Sequence, residues 1–524
     1  MSTNAESIRS FNTLHRTPRF FNGHALYANV WYFDLRYIPL EPNPSHVLFV
    51  VQMESTCTHT ERLPLGRPPN WGIAFFPETP EAAAPEVCKT LIHLFLTGLV
   101  NGTRKFHPPF APWMLATHDP TLGVAVGQEF KRMGVMKELC EIQTIIMNDK
   151  RVETVQKAFD GVWAKLKASA GINAPMVSPN TISFYSLRIT PWSTNVDKDF
   201  VNRVLSYTSR LSDARSLTTE PAIANTSTYL REQLNRALEL FSAKPAKVVR
   251  AEADAGNAES AIDYALRLEA GIHCTPDRQL YREYLVKAIL SPTATPVQQS
   301  KAHALLLEWY VSGSKERLLY RYIHASAHHA NAAICLRRED PCPAVLGYAE
   351  RTLDRVTNEI TEGAEMRLQY KELWAVHFQH QEKMEQKKTE VAKKRAKKAN
   401  RYTCAAVGCL VQADKGHMLS RCSGKCDLDV KPYYCSKSCQ RADWPTHRPF
   451  CRPGAPCSIL EKDDDVPIAT AEGSLTVPVT LPNGIQEMWS SSDMTAGMLK
   501  AVKHVAEGGT VADAMAFYDG DESE

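Results

Sequence analysis

Seven cysteines and one histidine constrain one stretch of this chain more than any other feature: Cys404, Cys409, Cys422, Cys426, Cys435, Cys439, His447 and Cys451. They fall in pairs, with three or four residues between partners. That spacing lets two ligands converge on one metal from a single turn or one helical face. Four nitrogen or sulfur ligands close a tetrahedral shell around Zn²⁺, so eight suit two ions. The segment reads CAAVGC, RCSGKC and YYCSKSCQRADWPTHRPFC, too short and too polar to form a hydrophobic core of its own. Metal supplies what burial cannot, because a structural Zn²⁺ contributes on the order of 10 kcal/mol of apparent folding energy. With four protein ligands each, neither shell keeps the open position that a catalytic zinc needs for water. Both ions are therefore expected to be structural, with function on the surface they shape.

The order and tail of these ligands resemble a MYND-type zinc finger. The resemblance rests on YCSKSCQRADWPTHRPFC, with its aromatic–Cys, Cys–Gln, Asp–Trp, His and final Cys, and is confined to 404–451. A RING finger would place its histidine in the middle of the series; here it comes seventh. Two features depart from the family pattern: the wider Cys404/Cys409 gap and the longer loop from Cys426 to Cys435. The resemblance implies cross-braced metals. Cys404, Cys409, Cys435 and Cys439 would hold the first zinc, and Cys422, Cys426, His447 and Cys451 the second. It also implies a protein-interaction role, with short proline-containing peptides bound in a groove where Gln440 and Trp444 match the lining positions. Trp444 offers a rigid apolar face and Gln440 an amide for an extended backbone. The expected partner is a protein or peptide, and the setting that of transcriptional regulation. Specific nucleic-acid binding is not expected, because the helix between Cys435 and His447 carries the ligands themselves. His417 and Cys457 are spare, the first read as solvated and the second as a free thiol.

A length of 524 residues corresponds to two to four domains. The formal charge of +3 is too small to draw the whole chain to nucleic acid. The richest apolar runs, HVLFVV and LIHLFLTGLV, are core-sized rather than membrane-spanning, so no membrane association is expected. The N-terminal MSTNAESIRSFNTLHRTPRFF has no apolar signal core. Cys57, Cys88, Cys140, Cys274, Cys335, Cys342 and Cys457 are scattered without a disulfide-like framework. That fits a reducing, intracellular compartment, the nucleus or cytoplasm or both.

The expected fold class is mixed and mainly α. Residues 1–200 read as an α+β region, with strands in NVWYFDLRYIPL, SHVLFVVQM, NWGIAFF and ISFYSLRITPW. EVCKTLIHLFLTGLV reads as a buried helix, and Val152, Val155, Phe159, Val162, Trp163 and Leu166 recur at helical spacing. Residues 226–378 read as an α-helical bundle or irregular helical repeats, broken at Pro245, Gly256, Gly271, Pro276, Pro292, Pro296 and Gly313. Their alternation of small and large residues resembles tetratricopeptide-like hairpins without a fixed period. His324, His328 and His329 are assigned to packing there rather than to a metal. Residues 379–402 read as a charged helical spacer. Its basic cluster Lys393, Lys394, Arg395, Lys397 and Lys398 also fits a nuclear import signal. The small two-zinc finger follows at 404–451, and residues 453–524 read as a linker and partly ordered tail containing the extended TVPVTLPNG.

Two functional classes compete. The first is a zinc-binding interaction protein. The second is a SET-like protein-lysine methyltransferase, a class in which such fingers are sometimes inserted. Its Asn-His-Ser-Cys-like and Gly-Glu-Glu-Leu-like segments do not occur here. Nor do a phosphate-cradling Gly-Lys-Ser/Thr loop, a Gly-x-Ser-x-Gly elbow or a His-Glu-x-x-His helix, and Gly123-Val-Ala-Val-Gly127 lacks the further glycine of a dinucleotide loop. Interaction protein is the reading carried forward.

Overall fold

The run VWYFDLRYI forms β1 (Val30–Ile38), since aromatic and β-branched residues suit a strand buried on both faces. It pairs antiparallel with β2 (Ser45–Gln52), which pairs antiparallel with β3 (Thr58–Arg62). On its other side β1 runs parallel to β4 (Met114–Thr117), and β4 to β5 (Gln143–Thr144), giving the order β3-β2-β1-β4-β5. Strand alternation sorts the core into two layers. Trp31, Phe33 and Leu35 pack with residues of α1 (Pro80–Thr97) and α2 (Pro120–Met133). Tyr32, Phe49 and Val51 pack with Val155, Phe159 and Trp163 of α3 (Lys150–Ser169). α1, α3 and the first two strands lie where the residue patterns place them, whereas α2 is not among the elements those patterns mark. The computed structural model describes residues 4–21, 25–55, 57–101, 104–105, 108–146, 150–173, 176–187, 189, 192, 200–211, 226–312, 320–349, 363–397, 399–413, 418–428, 430–456, 474–481, 484–491, 494–515 and 517.

One expected strand does not form, and a second is not found among the described residues. NWGIAFF enters a 3-10 helix at Pro69–Ala74, because Pro69 has no N–H to give a ladder and its fixed φ suits a first helical turn. In ISFYSLRITPW no strand forms among the described residues of 182–192. Thr181 forms an isolated bridge to Arg36, and the chain is then drawn aside. The Asp119 carboxylate accepts from Phe184 N at 2.5 Å while its other oxygen caps α2 through Thr121 N and Leu122 N.

Beneath α3, Asp34 and Arg36 form a buried ion pair at 2.7 Å. Burying both charges is tolerable only because their remaining sites are occupied. Thr181 Oγ1 donates to Asp34 at 2.7 Å, and Arg36 donates to Pro179 O at 2.9 Å and Gln156 Oε1 at 2.7 Å.

The helical region contains α4 (Ala246–Asp254), α5 (Ala258–Ala270), α6 (Arg278–Leu290), α7 (Pro296–Ser312) and α8 (Tyr320–Leu336), each packed on the next. Its breaks have local causes. Gly271 ends α5 in the left-handed region at φ +66°, and the Asn257 and Asp277 side chains cap α5 and α6. Packing groups Met1–Ala214 with Leu234–His377 in one unit, so the sheet region and the helical region share it. Glu78 shows why. Its buried carboxylate accepts from Arg278, Gln279 and Tyr322 of the helical region. His324, His328 and His329 are buried as packing residues. His324 meets the Tyr370 hydroxyl at 3.0 Å, His328 meets Glu41 at 2.7 Å, and His329 meets His303 at 2.7 Å.

The second unit comprises Arg215–Gln233 and Phe378–Glu524. The helix α9 (Lys371–Lys397) holds the boundary and most of the charged spacer. Lys398, of the basic cluster, lies outside the described residues. Among the described residues no helix is long and apolar enough to cross a membrane.

Candidate metal centre

The first knuckle turns between Cys404 and Cys409. Gly408 sits at φ +75°, which favours glycine, and Cys409 N donates to Ala406 O at 3.0 Å. A short hairpin follows, β7 (Ser420–Arg421) paired with β8 (Tyr433–Tyr434), while β6 (Gln412–Ala413) lies before it in the chain. Ala405 N donates to Tyr433 O at 2.8 Å and so ties the first knuckle to the strand that delivers Cys435. The helix α10 (Lys437–His447) starts at once, its N-cap Ser436 accepting from Cys439 N. Cys439, Asp443 and His447 form its buried stripe, and Asp443 accepts from the Tyr434 hydroxyl at 2.8 Å, locking helix to strand.

The second knuckle is clamped by Lys431, whose ammonium donates to Cys422 O at 3.1 Å and Gly424 O at 2.7 Å. Gly424 N donates to Cys422 Sγ at 3.3 Å. Only glycine fits there, because a Cβ would lie 2.1 Å from Cys451 Sγ.

These elements bring the eight predicted ligands into two groups: Cys404, Cys409, Cys435 and Cys439, and Cys422, Cys426, His447 and Cys451. Within each, all donor atoms lie within 4.8 Å of one another. In the first group, Cys409 and Cys435 sulfurs are 3.6 Å apart, and Cys435 and Cys439 sulfurs 3.5 Å. In the second, Cys422 and Cys451 sulfurs are 3.8 Å apart, and Cys426 Sγ lies 3.7 Å from His447 Nε2. A disulfide would need about 2.05 Å. A tetrahedron with zinc–sulfur bonds of about 2.3 Å has sulfur–sulfur edges of about 3.8 Å, so the spacing fits metal.

Charge points the same way. Hydrogen bonds within the first group, led by Cys409, push the Cys404 thiol up. Those led by Cys404 push Cys435 up as well. Hydrogen bonds led by Cys404 pull Cys409 and Cys439 down, so thiolates and thiols share this group, and a divalent cation would take the place of the remaining protons. In the second group, burial pushes Cys426 up to about 12 and lowers His447, which favours the neutral imidazole a metal takes. The donor sets fit two structural Zn²⁺, a Cys₄ and a Cys₃His shell.

Comparison with family models matches residues 404–451 to the MYND finger. This segment is a MYND finger. Comparison of the chain with curated proteins and with solved structures found no match. MYND fingers are zinc-binding protein-interaction modules, and that is the role of this segment.

The finger does not stand alone within its unit. After it come β9 (Leu475–Thr480), β10 (Gln486–Ser491) and α11 (Ala496–Ala506). β6 of the finger pairs antiparallel with β9, and β9 with β10. Val477, Val479, Ala496 and Leu499 share one core with Cys404, Val411, Cys422 and Tyr434. Residues 453–524, read as a linker and tail, thus contribute a hairpin and a helix to the finger's packing. Lys500 of α11 donates to Cys439 Sγ at 2.9 Å. Lys431 and Lys500 carry no signal in the sequence, whereas Tyr434 and Asp443, which pair here, stand in the aromatic–Cys and Asp–Trp steps of the quoted motif. His417 and Cys457 lie outside the described residues. Gln440 and Trp444 sit one turn apart on α10; Trp444 is 42% exposed and Gln440 half-buried.

Proposed function

We propose that the finger captures short proline-containing peptides of a protein partner along the Gln440–Trp444 flank of α10. The observation that carries this reading is the exposed indole of Trp444. It meets the His447 ring at 6.1 Å between centroids, an edge contact that holds the indole without covering it. A ring held in place beforehand loses little entropy on binding, and its flat apolar face suits a pyrrolidine. The Gln440 side chain has no hydrogen-bond partner among the described residues. Its amide offers an acceptor oxygen to backbone N–H groups and two N–H donors to backbone carbonyls of an extended peptide. Proline-rich segments are extended before they bind, which lowers the ordering cost further. The basic run Lys393 to Lys398 upstream of the finger suits nuclear import, which supports a setting in transcriptional regulation.

Trp444→Ala is expected to weaken capture of a labelled proline-rich peptide pool by about 2 kcal/mol, roughly 30-fold, as for a buried aromatic anchor. Two zinc equivalents should stay bound, since the indole is no ligand. Fluorescence polarisation checks the first point and elemental analysis the second. Capture at unchanged strength would remove the groove.

A further inference from the structure

The two zinc shells differ in charge. Four thiolates leave the first with a formal charge of about −2, whereas three thiolates and a neutral imidazole leave the second near −1. The structure treats the two differently. Lys431, beside the second shell, spends its ammonium on the backbone carbonyls of Cys422 and Gly424. Lys500, beside the first, places its ammonium on a ligand sulfur, Cys439 Sγ, at 2.9 Å. It comes from sixty-one residues further along the chain and outside the finger motif.

The position of Lys500 is fixed by packing rather than chance. The Thr495 side chain caps α11 by accepting from Met498 N. Leu499 and Ala496 are buried against Val477 and Val479 of β9, and β9 is registered to the finger by the pairs Gln412 with Thr476 and Ala413 with Leu475. The half-buried ammonium is therefore delivered to the sulfur by a folded scaffold, and partial exclusion of water strengthens a charge-assisted bond.

We propose that Lys500 is an outer-shell residue of the Cys₄ zinc site, supplied by the C-terminal segment, which retains zinc there by offsetting thiolate charge at Cys439. The working metal module then extends from Cys404 to α11 rather than ending at Cys451. A hydrogen bond to a thiolate also lowers its nucleophilicity, so Lys500 shields Cys439 from electrophiles. This inference is independent of the peptide groove.

The test uses the full chain loaded with zinc, with Lys500→Met as a neutral side chain of similar length and Lys500→Arg as the charge-preserving variant. Zinc release to excess pyridylazoresorcinol is followed with time. In Lys500→Met, one of the two equivalents should leave 10–100-fold faster, the range for loss of an outer-shell partner, with the other unchanged. Lys500→Arg should stay near the parent rate. In the Co²⁺-substituted protein, Lys500→Met should move the sulfur-to-cobalt charge-transfer band to lower energy, because a thiolate freed of its donor holds its electrons less tightly. Parent release rates with an unmoved band in Lys500→Met would overturn the proposal. So would equal acceleration in Lys500→Met and Lys500→Arg, which would assign the effect to packing, and so would loss of both metals together.

Discussion

Cys435→Ser is expected to lose one of two zinc equivalents and, with it, the order of structure well beyond the finger motif. A serine hydroxyl stays protonated at neutral pH and is a poor zinc ligand, so the first shell falls to three donors. A structural zinc is worth on the order of 10 kcal/mol, comparable with the whole stability of a small domain, about 5–15 kcal/mol. No core of ordinary size replaces it, because Cys404, Cys409 and Cys439 themselves form part of the hydrophobic cluster that holds Val411, Leu475 and Val477. Losing the shell should therefore release the β6–β9 pairing. Amide exchange is expected to quicken at 404–411, 433–439 and 475–480. Two retained equivalents, or unchanged protection at 475–480, would contradict the shared core.

Acidification is expected to destabilise the first unit. Burial holds His303 and His324 down to about 3. It also holds His46 and His329 well below the ordinary range, with the neighbouring Arg321 adding to the effect at His46 and the His303 ring at His329. In each case the unfolded chain binds more protons than the folded one between the folded value and the ordinary value of about 6.5. Their contribution is thus complete above about pH 6.5 and is lost as pH falls towards 3. Each histidine removes about 1.4 kcal/mol per pH unit in that window, or about 2 kcal/mol by pH 5. His303 and His324 together reach roughly 4 kcal/mol by pH 5, a large fraction of a typical stability, and His46 and His329 act in the same direction. The measurement is the urea midpoint of amide protection in α6 and α8 at pH 7 and pH 5. It should fall sharply at pH 5, and His324→Phe should reduce the fall. Equal midpoints at the two pH values would contradict the burial of neutral imidazoles.

What was legible in the residues follows from how local each signal is. Metal-ligand spacing is a short-range code, and the cross-bracing pattern came with the family resemblance, so all eight ligands fall where expected. The strands at 30–38 and 45–52 and the helices at 80–97 and 150–169 were legible because their apolar periodicity is strong. The misread segments obey longer-range causes. Thr181 bridges to Arg36 and the backbone turns at Phe184 because Asp119, sixty-five residues away, accepts its N–H. Glu78 joins sheet and helices through Arg278, two hundred residues on. β9 holds Pro478 in a position that argues against a strand. It forms one because the two-residue β6 pairs only with Leu475 and Thr476, so among the described residues no strand lies beside the proline on that flank, and the Pro478 carbonyl accepts from Lys503 instead. Lys500 carried no motif at all, and only the fold brings it to sulfur.

The central claim is that two zinc ions hold the 404–451 finger in shape. Elemental analysis of the purified full-length chain tests it most directly. Two zinc atoms per chain are expected, with protection of 404–451 collapsing when a strong chelator removes them. A chain that carries no transition metal, or that keeps this protection after chelation, would contradict it.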